Sequence, residues 1–257
     1  MKYKTLKLNI QKRVGWITIN RPKKLNALNQ ETLAELHHAL AIFEEDANVR
    51  LLVIRGAGNT AFVAGADIRE LAVLSAEEGA ALAQRGNQQV FDYIEHYNKP
   101  VISAVNGYAL GGGLELAMAC HLRVFADTAK VGMPETSLGL IPGYGGTQRL
   151  PQLVGRGRAM ELLLTGDMID AQRAYEIGLA NAVCPLKELD TKVLELAAAI
   201  LKNAPNAQMQ LLASVRAGFD PHTDGYVAET EGFAACFETD NFKHGTSAFL
   251  KKRKPKF

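Results

Sequence analysis

The sequence lacks several features that define special classes of protein. No uninterrupted run approaches the ~20 apolar residues that a membrane-spanning helix needs. The N-terminal segment MKYKTLKLNIQKRVGWITI carries lysines but no unbroken apolar stretch, so we expect no signal peptide there. The sequence also lacks a large excess of charge of either sign, since its net charge is +2. A pI of 8.4 is lower than that expected of a domain with a concentrated basic face for nucleic acid. These absences favour a soluble cytoplasmic protein without a strongly charged partner.

Cysteine and clustered metal ligands are scarce as well. The three cysteines, Cys120, Cys184 and Cys236, are scattered and form no CxxC motif, which favours reduced, mostly buried thiols in a reducing compartment. A nucleophilic cysteine would need a histidine positioned as its base, and apart from His121, the direct chain neighbour of Cys120, the sequence offers none beside them. Adjacent His37 and His38 lie on a predicted helix, but no third ligand with matching spacing is visible, so we expect no metal site.

The composition suits an ordinary globular protein. At 257 residues, 47% hydrophobic and 22% charged, the chain is long enough for one large domain or one domain with a small appendage. Alternating apolar residues predict a β-hairpin over residues 6–19, and Asn29 is a candidate N-cap for an amphipathic helix after it. Ser75 and Glu78 form a capping-box pair that opens a long polar helix to about Tyr97.

The most informative stretch begins with a short apolar run, residues 101–105, which predicts a buried strand. Three consecutive glycines at 111–113 then lead into a helical segment over residues 114–120. Backbone N–H groups at such a helix start are unpaired and suit a negative charge. Glu115 follows Gly112 by three residues, so this carboxylate and a backbone donor can face the same small volume.

A second glutamate, Glu135, follows Pro134, where a loop is predicted to end. Leu138, Leu140 and Ile141 come soon after, so Glu135 lies in apolar company. Two glutamates near a donor-rich turn suggest general acid/base chemistry on a substrate that develops an oxyanion. By spacing alone, the alternative stays open that both are surface glutamates that cap or solvate helix ends.

Five motifs carry a family resemblance: INRPKKLNALN, AFVAGADIREL, NGYALGGGLELAMAC, GMPETSLGLIPGYGGTQRL and SAFLKKRK. Over essentially the whole chain, in order, they resemble the enoyl-CoA hydratase (crotonase) family. The resemblance implies an α/β fold, a crotonase-like spiral of repeated ββα units with a C-terminal helical oligomerisation module. It also implies addition of water to 2-enoyl-CoA to give 3-hydroxyacyl-CoA, with coenzyme A as part of the substrate and no separate cofactor.

The resemblance assigns roles to particular residues. Glu115 and Glu135 match the paired catalytic glutamates, the first activating water and the second delivering a proton to the α-carbon. Ala66 and Gly112 match the two backbone donors of the oxyanion hole. Two departures stand beside them: Leu114 replaces a cysteine and Met133 replaces a glutamine found in many hydratases.

Further residues are expected to contact the substrate: Lys24, Leu25, Ala64, Asp67, Ile68, Phe233, Phe249 and Lys252. Ala64 belongs to a small-residue turn that lets backbone approach a ligand, and Asp67 and Ile68 match residues that line the channel. Lys24 and Leu25 match residues at the nucleotide end, and Phe233 matches an aromatic near the adenine. Phe249 and Lys252 match residues that reach coenzyme A from a neighbouring subunit; the alternative for the basic tail is a solvated end.

The helical pattern changes along the chain. Residues 165–183 predict a strand, a helix capped by Asp170 and a glycine stop, and everything from residue 185 onward has helical period. The predicted C-terminal helices span residues 189–201, 205–218, 227–238 and 241–252. We therefore expect a catalytic core over residues 1–203 and a trimerisation module over residues 204–257, with trimers that pair into a hexamer as in the family.

The sequence is compatible to different degrees with two functions other than hydration. Another crotonase-family reaction, such as double-bond isomerisation or hydration of a pathway-specific acyl group, stays open on sequence. A non-catalytic homologue that binds RNA is disfavoured, because it needs a lysine-rich exposed helix. The helix over residues 30–46 instead carries Glu31, Glu35, Glu44 and Glu45.

Overall fold

The computed structural model describes residues 3–257. Its strands are β1 Leu6–Gln11, β2 Val14–Ile19, β3 Leu51–Gly56, β4 Ala61–Val63, β5 Val101–Val105, β6 Tyr108–Leu110, β7 Leu122–Ala126, β8 Lys130–Gly132, β9 Met168–Asp170 and β10 Ala182–Cys184. Its α-helices are α1 Gln30–Glu45, α2 Ile68–Leu71, α3 Ala76–Gly86, α4 Asp92–Glu95, α5 Gly112–Ala119, α6 Gly146–Val154, α7 Arg156–Thr165, α8 Ala171–Glu176, α9 Leu189–Leu201, α10 Pro205–Ala217, α11 Gly225–Phe237 and α12 Asp240–Leu250. Short 3₁₀ turns span Pro22–Lys24, Pro134–Leu138 and Leu186–Glu188, and a π-helical turn spans Asn87–Phe91.

The strands form two sheets that the chain visits in alternation. The larger has the order β1-β2-β3-β5-β7-β10 and the smaller the order β4-β6-β8-β9. Three successive pairs, β3/β4, β5/β6 and β7/β8, each give one strand to either sheet before the chain turns into helix. This confirms the predicted α/β spiral of ββα units. The inner strands β3 and β5 pair in parallel and are almost wholly buried, as parallel strands covered on both faces require.

The hairpin and the helix caps predicted in the first half of the chain are confirmed, and one predicted helix contains an unexpected π-helical turn. The hairpin is confirmed, with Lys12 and Arg13 at positive φ in its two-residue turn. The Asn29 side chain accepts a hydrogen bond from Thr32 N and caps α1. The capping box of α3 is present, but that helix passes through the π-helical turn Asn87–Phe91 before α4. The predicted long helix is therefore confirmed as far as Glu95, two residues short of Tyr97, and its π-helical turn was not predicted.

The helical C-terminal pattern is confirmed within two residues at each end. Helix α9 packs Leu189, Val193 and Ala197 against the larger sheet. Helices α10 to α12 pack mainly on one another, and only Gly232 and Ala248 among their residues are buried. No α-helix within residues 3–257 is both long and apolar enough to cross a bilayer.

The region between residues 165 and 185 combines confirmed and missed elements. Strand β9 and helix α8 lie where predicted, and the Asp170 side chain accepts from Arg173 N. Gly178, with φ +85°, follows that helix as the expected stop. Strand β10 was not predicted, because three residues give too short a periodic signal. It pairs in parallel with β7 and completes the larger sheet ahead of α9.

Candidate active site

A cavity of about 520 Å³ lies between the turn after β4, helices α2 and α3, the start of α5 and the loop before α6. Its walls are mainly apolar, and backbone groups and two carboxyl groups face into it. Among the lining residues are Ala64, Ala66, Ile68, Leu71, Leu74, Leu82, Leu110, Gly112, Glu115, Glu135, Leu138, Leu140, Ile141 and Tyr144. A concave apolar site with a few convergent polar groups is the usual form of a small-molecule site.

The glycine run brings two backbone donors to one side of the cavity. Gly111 turns the chain with φ +50°, and a Cβ on Gly113 would lie only 1.9 Å from Val63 O, so α5 starts hard against β4. As the first residue of α5, Gly112 has an N–H with no acceptor inside the helix. A Cβ built on Gly112 would lie 3.7 Å from Ala66 N, so these two residues are close neighbours in the cavity wall.

The turn that carries Ala66 is held by its neighbours. Leu28 N donates to Gly65 O at 2.9 Å, and Asp67 N donates to Leu28 O at 2.7 Å. Ala66 N itself has no acceptor among residues 3–257. Its N–H is therefore fixed in place yet free for a ligand, which is what preorganised oxyanion stabilisation requires.

Glu115 is buried but well supported. The residue is 1% exposed, and its Oε1 accepts hydrogen bonds from Tyr144 N and Gly146 N, both at 2.8 Å. The pKa of Glu115 is raised to about 7: burial is the main cause and nearby Glu135 adds to it, while those two N–H groups and the charge of Arg149 oppose the rise. A carboxyl with a pKa near neutrality is suited to proton transfer at physiological pH.

Glu135 lies in a different environment. It belongs to the 3₁₀ turn Pro134–Leu138, is half-buried, and its Oε2 is buried without a hydrogen-bond partner among the described residues. Its Oε1 lies over the glycine turn, since a Cβ on Gly111 would be 2.5 Å away from it. Burial raises the pKa of Glu135. Fewer N–H donors hold the Glu135 carboxylate than hold that of Glu115, whereas Glu115 is the more deeply buried; donors favour the ionised form of a carboxyl group and burial favours the protonated form.

The profile of the enoyl-CoA hydratase/isomerase family matches residues 9–257. The chain belongs to that family. It is 45% identical to a crotonyl-CoA hydratase of Syntrophomonas wolfei, with 100% of this chain and 99% of the relative covered. It is 44% identical to a short-chain-enoyl-CoA hydratase of Clostridium acetobutylicum, over 94% and 93% of the two chains.

A solved relative supports the fold. The crystal structure of an enoyl-CoA hydratase from Bacillus anthracis superposes with a TM-score of 0.93 at 38% identity, covering 99% of each chain. The agreement extends over both sheets and the C-terminal helices, because almost no residue of either chain is left out. The crotonase-like architecture expected of this family member is therefore confirmed.

The structure brings most of the expected central residues together. Ala64, Ala66, Gly112, Glu115 and Glu135 all line the one cavity. Ile68 lines it too and is 47% exposed. Their catalytic and binding roles stay predictions, since geometry places these groups without showing what each does.

Asp67 is placed differently from the prediction. Its carboxylate forms an ion pair with Arg21 at 3.1 Å and is absent from the lining of the large cavity within residues 3–257. Arg21 also donates to Ala27 O, so it ties the loop over residues 21–28 to the turn that carries Ala66. The physical reason is charge: a half-buried carboxylate next to a guanidinium gains more from pairing than from facing an apolar channel.

The expected coenzyme A contacts lie outside the cavity of this single chain. Lys24 and Leu25 are exposed on the loop over residues 21–28, joined to the site through Ala64 N, which donates to Leu25 O at 3.1 Å. Phe233, Phe249 and Lys252 are exposed on the C-terminal helices and just after them. Within one chain, none of the last three lines the described cavity.

Sequence analysis missed Tyr144. Its N–H supports Glu115, and its ring stacks on Phe91 with centroids 4.5 Å apart and forms part of the cavity wall. The only signal was its position between two glycines in GYGG, which marks backbone that something approaches closely. Met133, noted as a departure, is 1% exposed and packs its methyl group against Gly146.

The two neighbouring histidines of α1 have partners of their own. His37 Nδ1 lies 2.8 Å from Gln89 O, and His38 Nδ1 lies 2.8 Å from Tyr3 Oη. Within residues 3–257, no three His, Cys, Asp or Glu side chains cluster closely enough to hold a metal ion.

Proposed function

We propose that this protein is an enoyl-CoA hydratase that adds water across the double bond of 2-enoyl-CoA and yields 3-hydroxyacyl-CoA. The observation that carries the proposal is the meeting of two carboxyl groups with two adjacent backbone amides in one apolar cavity. The names of the relatives, crotonyl-CoA hydratase and short-chain-enoyl-CoA hydratase, support this substrate class.

The amides of Ala66 and Gly112 provide the electrostatic part of the proposed mechanism. When water attacks the β-carbon, electrons of the C=C bond move toward the thioester, and its oxygen takes on negative charge. Two fixed N–H donors stabilise that enolate oxygen, and removing one such donor typically costs about 10²–10³ in rate. They act without reorganisation because the bonds of Leu28 already hold the turn on either side of Ala66.

The two glutamates divide the proton transfers. Glu115, held by two N–H donors, is the ionised partner and accepts a proton from the water as its oxygen bonds to the β-carbon. Glu135, with an unpartnered buried oxygen, is the protonated partner and gives its proton to the α-carbon. The net change is one water added, and a proton returned from Glu115 to Glu135 restores the starting state.

The proposal is tested by following loss of the conjugated thioester absorbance of crotonyl-CoA. Wild-type protein should hydrate it, and Glu115→Gln and Glu135→Gln should each reduce kcat by at least ~10²-fold, because each keeps its shape and loses proton transfer. Glu77→Gln, on the exposed first turn of α3, is the matched control and should keep its activity. A glutamine variant of Glu115 or Glu135 with more than about a tenth of wild-type kcat would contradict the role of that residue.

The same proposal extends to assembly and the coenzyme A end. The C-terminal helices expose large apolar side chains, among them Phe233 at 68%, Phe249 at 80% and Leu250 at 80%. Such a surface supports contact with further copies of the chain. We propose a hexamer of paired trimers, formed through residues 204–257, in which Phe249 and Lys252 reach coenzyme A bound to a neighbour and Lys24, Leu25 and Phe233 contact its nucleotide end. No nucleic acid or membrane partner is part of the proposal.

The proposed compartment is the cytoplasm. All three cysteines lie in the described part of the chain, and none forms a disulfide. Cys120 and Cys184 are buried and Cys236 is half-buried, in keeping with a reducing environment.

A further inference from the structure

The loop that supports Glu115 is held from behind by a buried arginine. Tyr144 N and Gly146 N, which donate to Glu115, flank Gly145 in this loop. Arg149, in the first turn of α6, donates from Nη1 to Tyr144 O at 2.8 Å. The arginine therefore bonds the same peptide segment that presents the two donors.

Arg149 is itself anchored to another element. It is 7% exposed and donates from Nε and Nη2 to Glu95 Oε2 at 3.0 and 2.6 Å, and from Nη2 to Asp92 Oδ1 at 2.7 Å. Both carboxylates belong to α4, which continues the π-helical turn. The planar guanidinium thus spans the gap between α4 and the loop, with donors used on both sides.

The loop conformation is fitted to this side chain. Gly145 has φ +89°, and a Cβ built there would lie 2.1 Å from Arg149 Nη1. Only glycine leaves room for the guanidinium to lie against the backbone. The loop has two further contacts with the π-helical turn: Asn87 Nδ2 donates to Gly143 O at 3.0 Å, and Phe91 stacks on Tyr144. These contacts join the loop to α4 and to the π-helical turn before it.

We propose that Arg149 is a positioning residue for Glu115: it ties the loop over residues 143–146 to α4 so that two backbone N–H groups stay aimed at the Glu115 carboxylate. This inference rests on the proposed role of Glu115 as the base in hydration. Arg149 acts through the loop, and no contact with substrate is assigned to it. The alternative is that Arg149 only stabilises the fold.

The two readings differ in how activity responds to pH. The ionisable groups that face Glu115 are Glu135, Arg149 and the Tyr144 phenol. Burial raises the pKa of Glu115, and the N–H groups of Gly146 and Tyr144 and the charge of Arg149 oppose that rise. Loss of Arg149 removes its charge and loosens both donors, so the pKa of Glu115 rises further. Since the base must be ionised, the acid limb of kcat/KM moves to higher pH.

The experiment compares pH profiles of kcat/KM for crotonyl-CoA hydration in wild type, Arg149→Met and Arg149→Lys. Arg149→Met should lose about 10²-fold at neutral pH, as misplacement of a catalytic group by about 1 Å does, with its acid limb shifted upward. Arg149→Lys restores the charge but lacks the planar fork, so it should recover only part of both effects. Arg55→Met, which removes an arginine–carboxylate pair with Asp190, is the matched control and should leave the limb in place.

A second variant protects the test against unfolding. Glu95→Gln removes the negative charge from the main anchor of Arg149, at a side chain that is 34% exposed, and so weakens the anchor; it should shift the acid limb in the same direction by less. An unshifted limb in folded Arg149→Met or Glu95→Gln protein would overturn the inference, as would full recovery by Arg149→Lys, which would assign the effect to charge alone. Failure of the wild-type protein to hydrate any 2-enoyl-CoA would instead overturn the proposed function.

Discussion

At the scale of single residues, the site depends on the absence of a side chain at Gly112. A Cβ there would meet Tyr144 Cδ2 at 3.4 Å and Ala66 N at 3.7 Å, which are ordinary contact distances. The backbone therefore tolerates a small side chain, but that side chain would occupy the space between the two proposed donors. Packing therefore allows a small side chain at residue 112, whereas the proposed catalysis requires that none be present.

Gly112→Val should consequently fold and lose most of its activity. The N–H is retained, but the added methyl groups crowd the place where the thioester oxygen would lie, so kcat/KM for crotonyl-CoA should fall by at least about 10²-fold. Steady-state kinetics measure the loss. Gly79→Ala is the control, because it adds a methyl group to the cavity wall where no atom lies within 4 Å. Unchanged kinetics in Gly112→Val would show that the thioester does not lie against this turn.

At the scale of elements, the loop over residues 21–28 acts as a brace for the turn that carries Ala66. The brace combines the backbone bonds of Leu28 with the ion pair of Arg21 and Asp67, whose side chains are 16% and 18% exposed. Because Lys24 and Leu25 lie on the same loop, the proposed nucleotide contact and the proposed oxyanion donor share one support.

Asp67→Asn should weaken that brace without removing any group from the cavity. The free energy of unfolding should fall by about 2 kcal/mol, since a hydrogen bond to a charged group is worth about 1.5–3 kcal/mol. The kcat should also fall, because the Ala66 N–H is then held less firmly in its orientation. Chemical denaturation and kinetics measure the two effects. Glu195→Gln breaks an exposed pair with Lys192 and should change stability by less than about 1 kcal/mol. Equal effects of the two variants would argue against the brace.

At the scale of the whole molecule, the C-terminal helices expose many large apolar side chains that no other part of the same chain covers within residues 3–257. Val215, Phe219 and Tyr226 are 59%, 59% and 86% exposed, in addition to the aromatic residues near the C terminus. Contact between α10 and α11 is close, as a Cβ on Gly232 would lie 3.0 Å from Ser214 Oγ. The helices therefore pack with one another and keep an apolar outer face.

Deletion of residues 242–257 should disrupt the proposed hexamer and raise KM for enoyl-CoA, because it removes most of α12 and the proposed contacts of Phe249 and Lys252. Mass in solution and kinetics measure the outcome, after circular dichroism has shown that the shortened chain is folded. Leu250→Glu, at an 80% exposed position, is a gentler variant that should weaken assembly by placing a charge in the contact. An intact hexamer with unchanged KM after the deletion would refute the role of the tail.

Much of the architecture could be read from local sequence. The caps at Asn29, Ser75 and Asp170 form hydrogen bonds to residues three positions later. The C-terminal helices are predicted by the helical spacing of their apolar residues. The family motifs add the spiral fold and the expectation that Glu115 and Glu135 meet. Strands β6, β7, β8 and β10 and the π-helical turn were not predicted one by one, because short strands and one widened turn leave too little periodic pattern.

What the sequence by itself determined were the fold class, most element positions and the identity of the two glutamates, since each depends on local preference or on a motif. Only the tertiary structure decided their environments. The donors of Glu115 lie 29 and 31 residues away, and the partner of Asp67 lies 46 residues away. Such contacts carry no periodic signal, because they arise when separate turns of the spiral pack together. They nevertheless supply the two N–H donors of Glu115 and leave Ala66 N without an acceptor among residues 3–257, and the proposed chemistry depends on both features.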